Sequence, residues 1–307
     1  MVSMSIVLSA FSVFVRPCCI AIVAVVTLVA VSPAKAEYAK LSDELTLHYE
    51  QAGQGPETIL FIPGWTMSTK VFERQFKHFE ASTRFRAIAY DPRGQGLSSK
   101  TLDGHTYQQH GRDLAAFIEK LRLNDVVLAG WSYGVLEMMA YVNQFGAAKV
   151  KAVVVIDGTP RALGKDNTKE WVWVSLDDKD KFRENYTIQT LENRAALNVE
   201  FAKWMLEAAT PENIRWVDNI ASQTPNFIAA LTNETGTYIN YEQDLKALNG
   251  KLPLLFVVRE DWRQIVSYWV KANAPAAELV VMGKHLMFWE RSQEFNAALD
   301  RFLAGLR

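Results

Sequence analysis

Only two cysteines occur in the 307 residues, Cys18 and Cys19, and both fall inside the first apolar stretch. Beyond that stretch a disulfide framework, a thiolate nucleophile and a cysteine metal site are excluded. Histidine is scarce too, with five in all: His48, His78, His105, His110 and His285. The one close pair, His105 and His110, has no acidic neighbour at ligand spacing apart from Asp103 and Asp113, and reads as residues of a helix start. No metal site is expected. Positive charge is not in excess, since 33 Lys and Arg face 34 Asp and Glu for a net charge of −1. Without a basic cluster, nucleic acid is not an expected partner. Gly94-Gln95-Gly96 lacks the third glycine of a dinucleotide fingerprint, and no phosphate loop occurs, so no cofactor is expected.

What is present begins with a leader. Met1 to Ala36 holds no acidic residue, carries Arg16, and runs through the apolar segment Cys18 to Val31 into Pro33-Ala34-Lys35-Ala36. A stretch of about 14 apolar residues followed by small residues reads as a secretory signal peptide cleaved after Ala36 rather than a membrane span of about 20, with an uncleaved N-terminal anchor as the alternative. Export to the periplasm or beyond is the expectation, with no membrane contact apart from the export signal. About 270 residues would remain, enough for one large domain with an insertion.

From Glu37 to Gly158, short β-rich runs alternate with helical patterns, the signature of βαβ units and a mostly parallel sheet. Strands are expected at Leu45 to Gln51, Thr58 to Ile62, Phe85 to Tyr90, Asp125 to Ala129 and Val150 to Ile156, with helices near Lys70 to Glu80, Tyr107 to Leu121 and Gly134 to Phe145. Continuous apolar runs such as Val153-Val154-Val155-Ile156 suit strands covered on both faces. Strand patterns stop over Arg161 to Gly250, where only helical periodicity is found, and return at Pro253 to Val258 and Glu278 to Met282. The division is therefore a first core segment over 37–160, a helical cap over 161–250 and a second core segment over 251–307. Trp171, Trp173, Trp204, Trp216, Phe182, Phe201 and Phe227 either form the cap's own core or line an apolar pocket beneath it; both can hold at once.

The chemistry centres on Gly130-Trp131-Ser132-Tyr133-Gly134, which follows the apolar strand at Asp125 to Ala129 and precedes a helical run. A serine on a tight strand-to-helix turn has a strained backbone, so small residues are needed two positions before and after it. The turn also sets Ser132 at a helix N-terminus, where a developing oxyanion is favoured and the Tyr133 N–H is the first donor.

With these residues the chain resembles the α/β-hydrolase superfamily, most closely its capped branch of carboxylesterases, haloperoxidase-like enzymes and lactonases. The resemblance covers nearly all of the chain after the leader, and Asp91-Pro92-Arg93-Gly94-Gln95-Gly96-Leu97-Ser98 looks like the family's structural loop after its fourth strand. It implies an α/β-hydrolase fold with a mostly parallel sheet, flanking helices and an inserted helical cap. Phe61-Ile62-Pro63-Gly64-Trp65 stands where the family has His-Gly-X, which makes the Trp65 N–H the second oxyanion donor. Pro63 replaces that His and leaves open how the loop is braced. His285 is implied as the general base, although Gly283-Lys284-His285 has one residue more than the usual Gly-His. For the acid, Asp261 is nearest to the family pattern, with Val258 and Ile265 where Gly and Pro are usual. Asp157 in Asp157-Gly158-Thr159-Pro160 is its rival, and Glu260 is one position away.

The expected activity is that of a serine esterase. A small acyl compound, an ester or a lactone with a medium or long acyl chain or an aromatic part, is attacked by Ser132 and released through an acyl-enzyme. A cofactor-free perhydrolase or acyl transferase, using the same triad on another acceptor, and a hydrolase-fold binding protein with little turnover are the alternatives.

Overall fold

In the computed structural model the residues described are 35–306. Nearly all of the leader, residues 1–34, lies outside them, and with it the two cysteines. The apolar runs form the middle of one eight-stranded sheet. Its strands are β1 (Lys35–Lys40), β2 (Thr46–Ala52), β3 (Glu57–Ile62), β4 (Phe85–Tyr90), β5 (Val126–Trp131) and β6 (Val150–Ile156). A separate pair of two-residue strands, β7 (Leu163–Gly164) and β8 (Val174–Ser175), comes next. The sheet is completed by β9 (Leu254–Val258) and β10 (Glu278–Val281), and its order is β1-β2-β4-β3-β5-β6-β9-β10. From β4 to β10 all neighbours are parallel, while β1 and β2 pair antiparallel at the other edge.

Two differences from the expected strands have plain causes. Strand β1, KAEYAK, mixes charged residues and alanines with one tyrosine, so it carries no apolar run, and its first two residues belong to the expected leader. Cleavage after Ala36 would remove the pairings of Lys35 with Gln51 and of Ala36 with Glu50 and leave four others. The segment read as purely helical contains β7 and β8, too short to leave a period in the sequence.

Alternate residues of the buried strands enter two cores. Leu60, Ile62, Leu128, Val153, Val155 and Phe256 face one side, where they meet helices α2 (Tyr107–Lys120) and α3 (Gly134–Phe145). Phe61, Ala129, Trp131, Val154, Ile156 and Val257 face the other, against α1 (Glu73–Phe79) and the last long helix, Ser292–Ala304. Because both faces are covered, all six residues of β5 are buried, and the strand tolerates no polar position. Between β6 and β9 the chain leaves the sheet and forms the cap, whose longer helices are α4 (Arg194–Met205), α5 (Pro211–Ala221) and α6 (Asn226–Thr237).

The loop from Asp91 to Ser98 is held by its charged side chains. Asp91 accepts from the backbone N–H of Thr69 and of Leu97, both at 2.7 Å, and pairs with the His48 Nδ1 at 2.9 Å. Arg93 donates from Nε and Nη2 to the two carboxylate oxygens of Asp113 in α2, at 2.7 and 2.8 Å. Both partners are nearly buried, so removing one strands a charge, which costs about 3–5 kcal/mol. Asp113→Ala should therefore lose about that much in urea unfolding, and the pair Arg93→Met with Asp113→Leu should recover most of it; equal losses for both variants would contradict a buried ion pair as the cause.

Candidate active site

The parallel order of β3, β5, β6, β9 and β10 brings the carboxyl ends of five neighbouring strands to one edge, where open α/β sheets hold their ligands. Each end delivers one residue: Trp65 after β3, Ser132 after β5, Asp157 after β6, Arg259 after β9 and His285 after β10.

Ser132 has φ 55°, the strained turn expected of it. Its N–H still bonds the Ile156 carbonyl of β6 at 2.9 Å, so the turn starts without breaking the sheet. The glycines are required by contact rather than by their own dihedrals. A Cβ at Gly134 would lie 2.3 Å from the Ile62 carbonyl oxygen, and one at Gly64 would lie 2.8 Å from the Ser132 Cβ. These close approaches bring the loop after β3 against the serine.

His285 Nδ1–H donates to Asp157 Oδ2 at 2.5 Å, and Ser132 Oγ–H donates to His285 Nε2 at 3.0 Å. The carboxylate only accepts, which fixes the hydrogen on Nδ1 and leaves the Nε2 lone pair facing the hydroxyl. The chain Oγ–imidazole–carboxylate is thus arranged to take the serine proton. The other histidines stand elsewhere. His48 pairs with Asp91, His78 with Asp300 at 3.0 Å and His110 with Glu137 at 3.0 Å, and the His105 Nε2 bonds the Thr101 carbonyl oxygen at 2.9 Å.

The position of the acid corrects the sequence expectation. Asp157, not Asp261, meets the imidazole. Asp157 N–H continues the ladder to the Val257 carbonyl at 2.8 Å, and its φ of 36° then turns the buried carboxylate toward His285. Asp261 lies in the turn Glu260–Trp262, exposed and without a side-chain hydrogen bond, because Trp262 takes the inward direction there. Glu260 is exposed and bonded to Arg263 at 2.7 Å. After β9 the inward-facing charge is a cation: Arg259 gives its N–H to Asp157 Oδ1 at 2.9 Å and its Nη1 to Oδ2 at 3.0 Å. Arg259 was missed in the sequence, where its one signal is a charged residue directly after a buried strand.

Burial pushes the Asp157 carboxyl up, but the Arg259 charge and the hydrogen bond from His285 outweigh it and hold the group below its ordinary range. Burial likewise pushes His285 down, only partly opposed by Asp157, so the imidazole is neutral near pH 7. Trp131 Nε1–H fixes the His285 carbonyl at 2.9 Å, and the rings of Trp131, Trp204 and Trp173 lie 5.0, 4.6 and 5.5 Å from the imidazole. The additional residue in Gly283-Lys284-His285 is accommodated at the cap, where Lys284 Nζ bonds the Leu206 carbonyl at 3.1 Å.

Two backbone donors border the serine, the N–H groups of Trp65 and Tyr133, and neither has a protein acceptor among the described residues. With His absent at position 63, the loop is braced through Trp65 itself. Its indole N–H donates to the Ala229 carbonyl in α6 at 2.7 Å, and its ring packs on Phe201 at 5.4 Å and under Arg194 at 5.4 Å.

Above the serine is a cavity of about 210 Å³. Trp65, Ser132, Tyr133 and Arg259 line it from the sheet, and Trp173, Phe182, Tyr186, Phe201, Trp204 and Asn233 from the cap. The cap aromatics thus divide. Trp173, Trp204, Phe182 and Phe201 face the cavity, whereas Trp171 packs on Phe256 and Trp269, and Trp216 stacks on Trp289.

A model of the family described as the alpha/beta hydrolase fold matches residues 57–290. The chain belongs to the α/β-hydrolase family. This α/β-hydrolase is 32% identical over 276 residues to a putative non-heme chloroperoxidase of Synechocystis, covering 85% of its own length and 96% of the relative's. Over 129 residues it is 30% identical to a bifunctional esterase/perhydrolase of Acinetobacter calcoaceticus, 42% of this chain and 46% of that one. Among solved structures, a bromoperoxidase from Bacillus anthracis superposes with a TM-score of 0.78 at 23% identity, covering 88% of this chain and 100% of that one.

The lowered His285 pKa can be measured directly. Followed by NMR, the His285 ring should change charge below the ordinary value of 6.5, and a midpoint above it would contradict the balance of burial over carboxylate described here.

Proposed function

We propose that this α/β-hydrolase is a serine hydrolase of carboxylic esters or lactones, working through an acyl-enzyme on Ser132. One observation carries the reading: the Ser132 hydroxyl is hydrogen-bonded to the His285 Nε2 while two backbone N–H groups with no acceptor among the described residues belong to residues lining the same cavity. In this reading His285 Nε2 takes the hydroxyl proton as Oγ attacks the acyl carbon. Negative charge moves to the former carbonyl oxygen, which the Trp65 and Tyr133 N–H groups receive. On collapse His285 returns the proton to the leaving alcohol, and water repeats the sequence on the ester of Ser132. Asp157 holds the imidazole tautomer and stabilises its cation.

The cavity refines the substrate. Its volume of about 210 Å³ is below the roughly 300–1,000 Å³ of pockets for drug-sized ligands. That favours a short or medium acyl chain, or one aromatic ring, over a long chain. Perhydrolysis, with peroxide replacing water as acceptor, is the second reading, supported by the esterase/perhydrolase relative. Export is part of the proposal and rests on Met1 to Ala36.

In an ester and lactone panel, Ser132→Ala should remove about six orders of magnitude of kcat and Asp157→Asn about three to four. Asp261→Asn should stay within about twofold of the parent, as expected for an exposed residue without partners. Equal small losses at Ser132 and Asp157 would sink the triad, and peracid formation faster than ester hydrolysis would favour the second reading.

A further inference from the structure

Among the described residues Arg259 is the one charged side chain lining the cavity, and its partners use only part of it. Nη1 is committed to Asp157 Oδ2 at 3.0 Å. Nε and Nη2 have no hydrogen-bond partner among the described residues, and neither is among the buried, unsatisfied side-chain atoms. These two nitrogens form the side-on edge of the guanidinium, a planar fork of N–H donors that matches the two oxygens of a carboxylate. Three indole rings surround the group. The guanidinium carbon lies 3.7 Å from the Trp262 ring centroid, 5.1 Å from that of Trp173 and 5.4 Å from that of Trp204. Three indoles and a carboxylate leave the side chain 11% exposed. They fix its plane, so the free edge is presented at little further entropic cost.

We propose that Arg259 makes this cavity selective for esters or lactones that carry a carboxylate, bound on its Nε–Nη2 edge. The proposal rests on the serine hydrolase reading and names the substrate class of the same site. The free donors support it, not net charge: Arg259 and Asp157 cancel each other, and the remaining lining residues are aromatic apart from Ser132 and Asn233, so none of them repels an anion at the Nε–Nη2 edge. A neutral carbonyl can accept a weaker bond from the edge, whereas a carboxylate replaces its lost hydration with two hydrogen bonds in which both donor and acceptor are charged. An anion held there also favours the imidazolium that forms as His285 takes the serine proton.

The test uses the intact protein and two matched pairs of esters. In the first pair the acyl group is 4-carboxybutanoyl or its neutral isostere 4-carbamoylbutanoyl, both as 4-nitrophenyl esters. In the second pair the charge is on the leaving half, as 4-acetoxybenzoate and 4-acetoxybenzamide. The carboxylate member of at least one pair should have kcat/KM about tenfold higher, carried mainly by KM, as one charged hydrogen bond allows. The pair that shows it tells which half of the substrate meets Arg259. Glutarate should compete with hydrolysis of the neutral ester, and glutaramide should not. Arg259→Gln should bring the ratio to about one while lowering kcat for both members, because Asp157 loses a partner; Arg259→Lys should keep part of the preference. Equal or better turnover of the neutral member in both pairs by the parent protein would overturn the proposal, whatever the variants do. Failure of every ester, together with no labelling of Ser132 by a fluorophosphonate, would instead overturn the hydrolase reading beneath it.

Discussion

A carboxylate with no exposed surface has to be compensated, and much of the site follows from how Asp157 is. Its two oxygens receive three bonds, from the Arg259 backbone, the Arg259 guanidinium and His285. Each donor comes from a strand on the same side of β6, so the sheet order itself supplies them. The same bonds fix the tautomer of His285, and that tautomer turns a lone pair toward Ser132. Without the cation the carboxyl would lose the charge that most opposes its burial, and its pKa would rise.

Strain and close contact gather around this pair. Ser132 and Asp157 both sit at positive φ at the ends of adjacent strands, and each still donates its N–H to the neighbouring strand. The ladder thus holds two turns that would be unfavourable alone. Over them, Trp173 and Trp204 of the cap pack against both the imidazole and the guanidinium, and Trp262 of the β9 end packs against the guanidinium.

How much of this was legible in the sequence depended on distance along the chain. Ser132 was readable because the strand, the glycines and the helix that define its turn lie within about twenty residues of it. His285 could be found because few histidines exist and only one follows the last strand. The acid could not be decided in the same way. Asp157 and Asp261 both follow apolar strands, and β6 and β9 turn out to be neighbours, so either end could have faced the imidazole. What separates them is where the guanidinium of Arg259 and the ring of Trp262 point, which no local pattern records. Strand β1 was missed for a different reason, since an edge strand of charged residues, alanines and a single tyrosine carries no apolar run. The loop after β3 was found by its Pro-Gly-Trp, but its brace is a bond across 164 residues.

That brace has a consequence for how the fold varies. The indole of Trp65 connects the backbone beside the serine to a carbonyl of α6, so the residue belongs to the sheet by sequence and to the cap by bonding. The acceptor is a main-chain carbonyl, so what the bond demands of the cap is the position of the α6 backbone and not the identity of residue 229. A shift of α6 would therefore be felt at the backbone beside the serine, and a core without its cap would leave the loop untied.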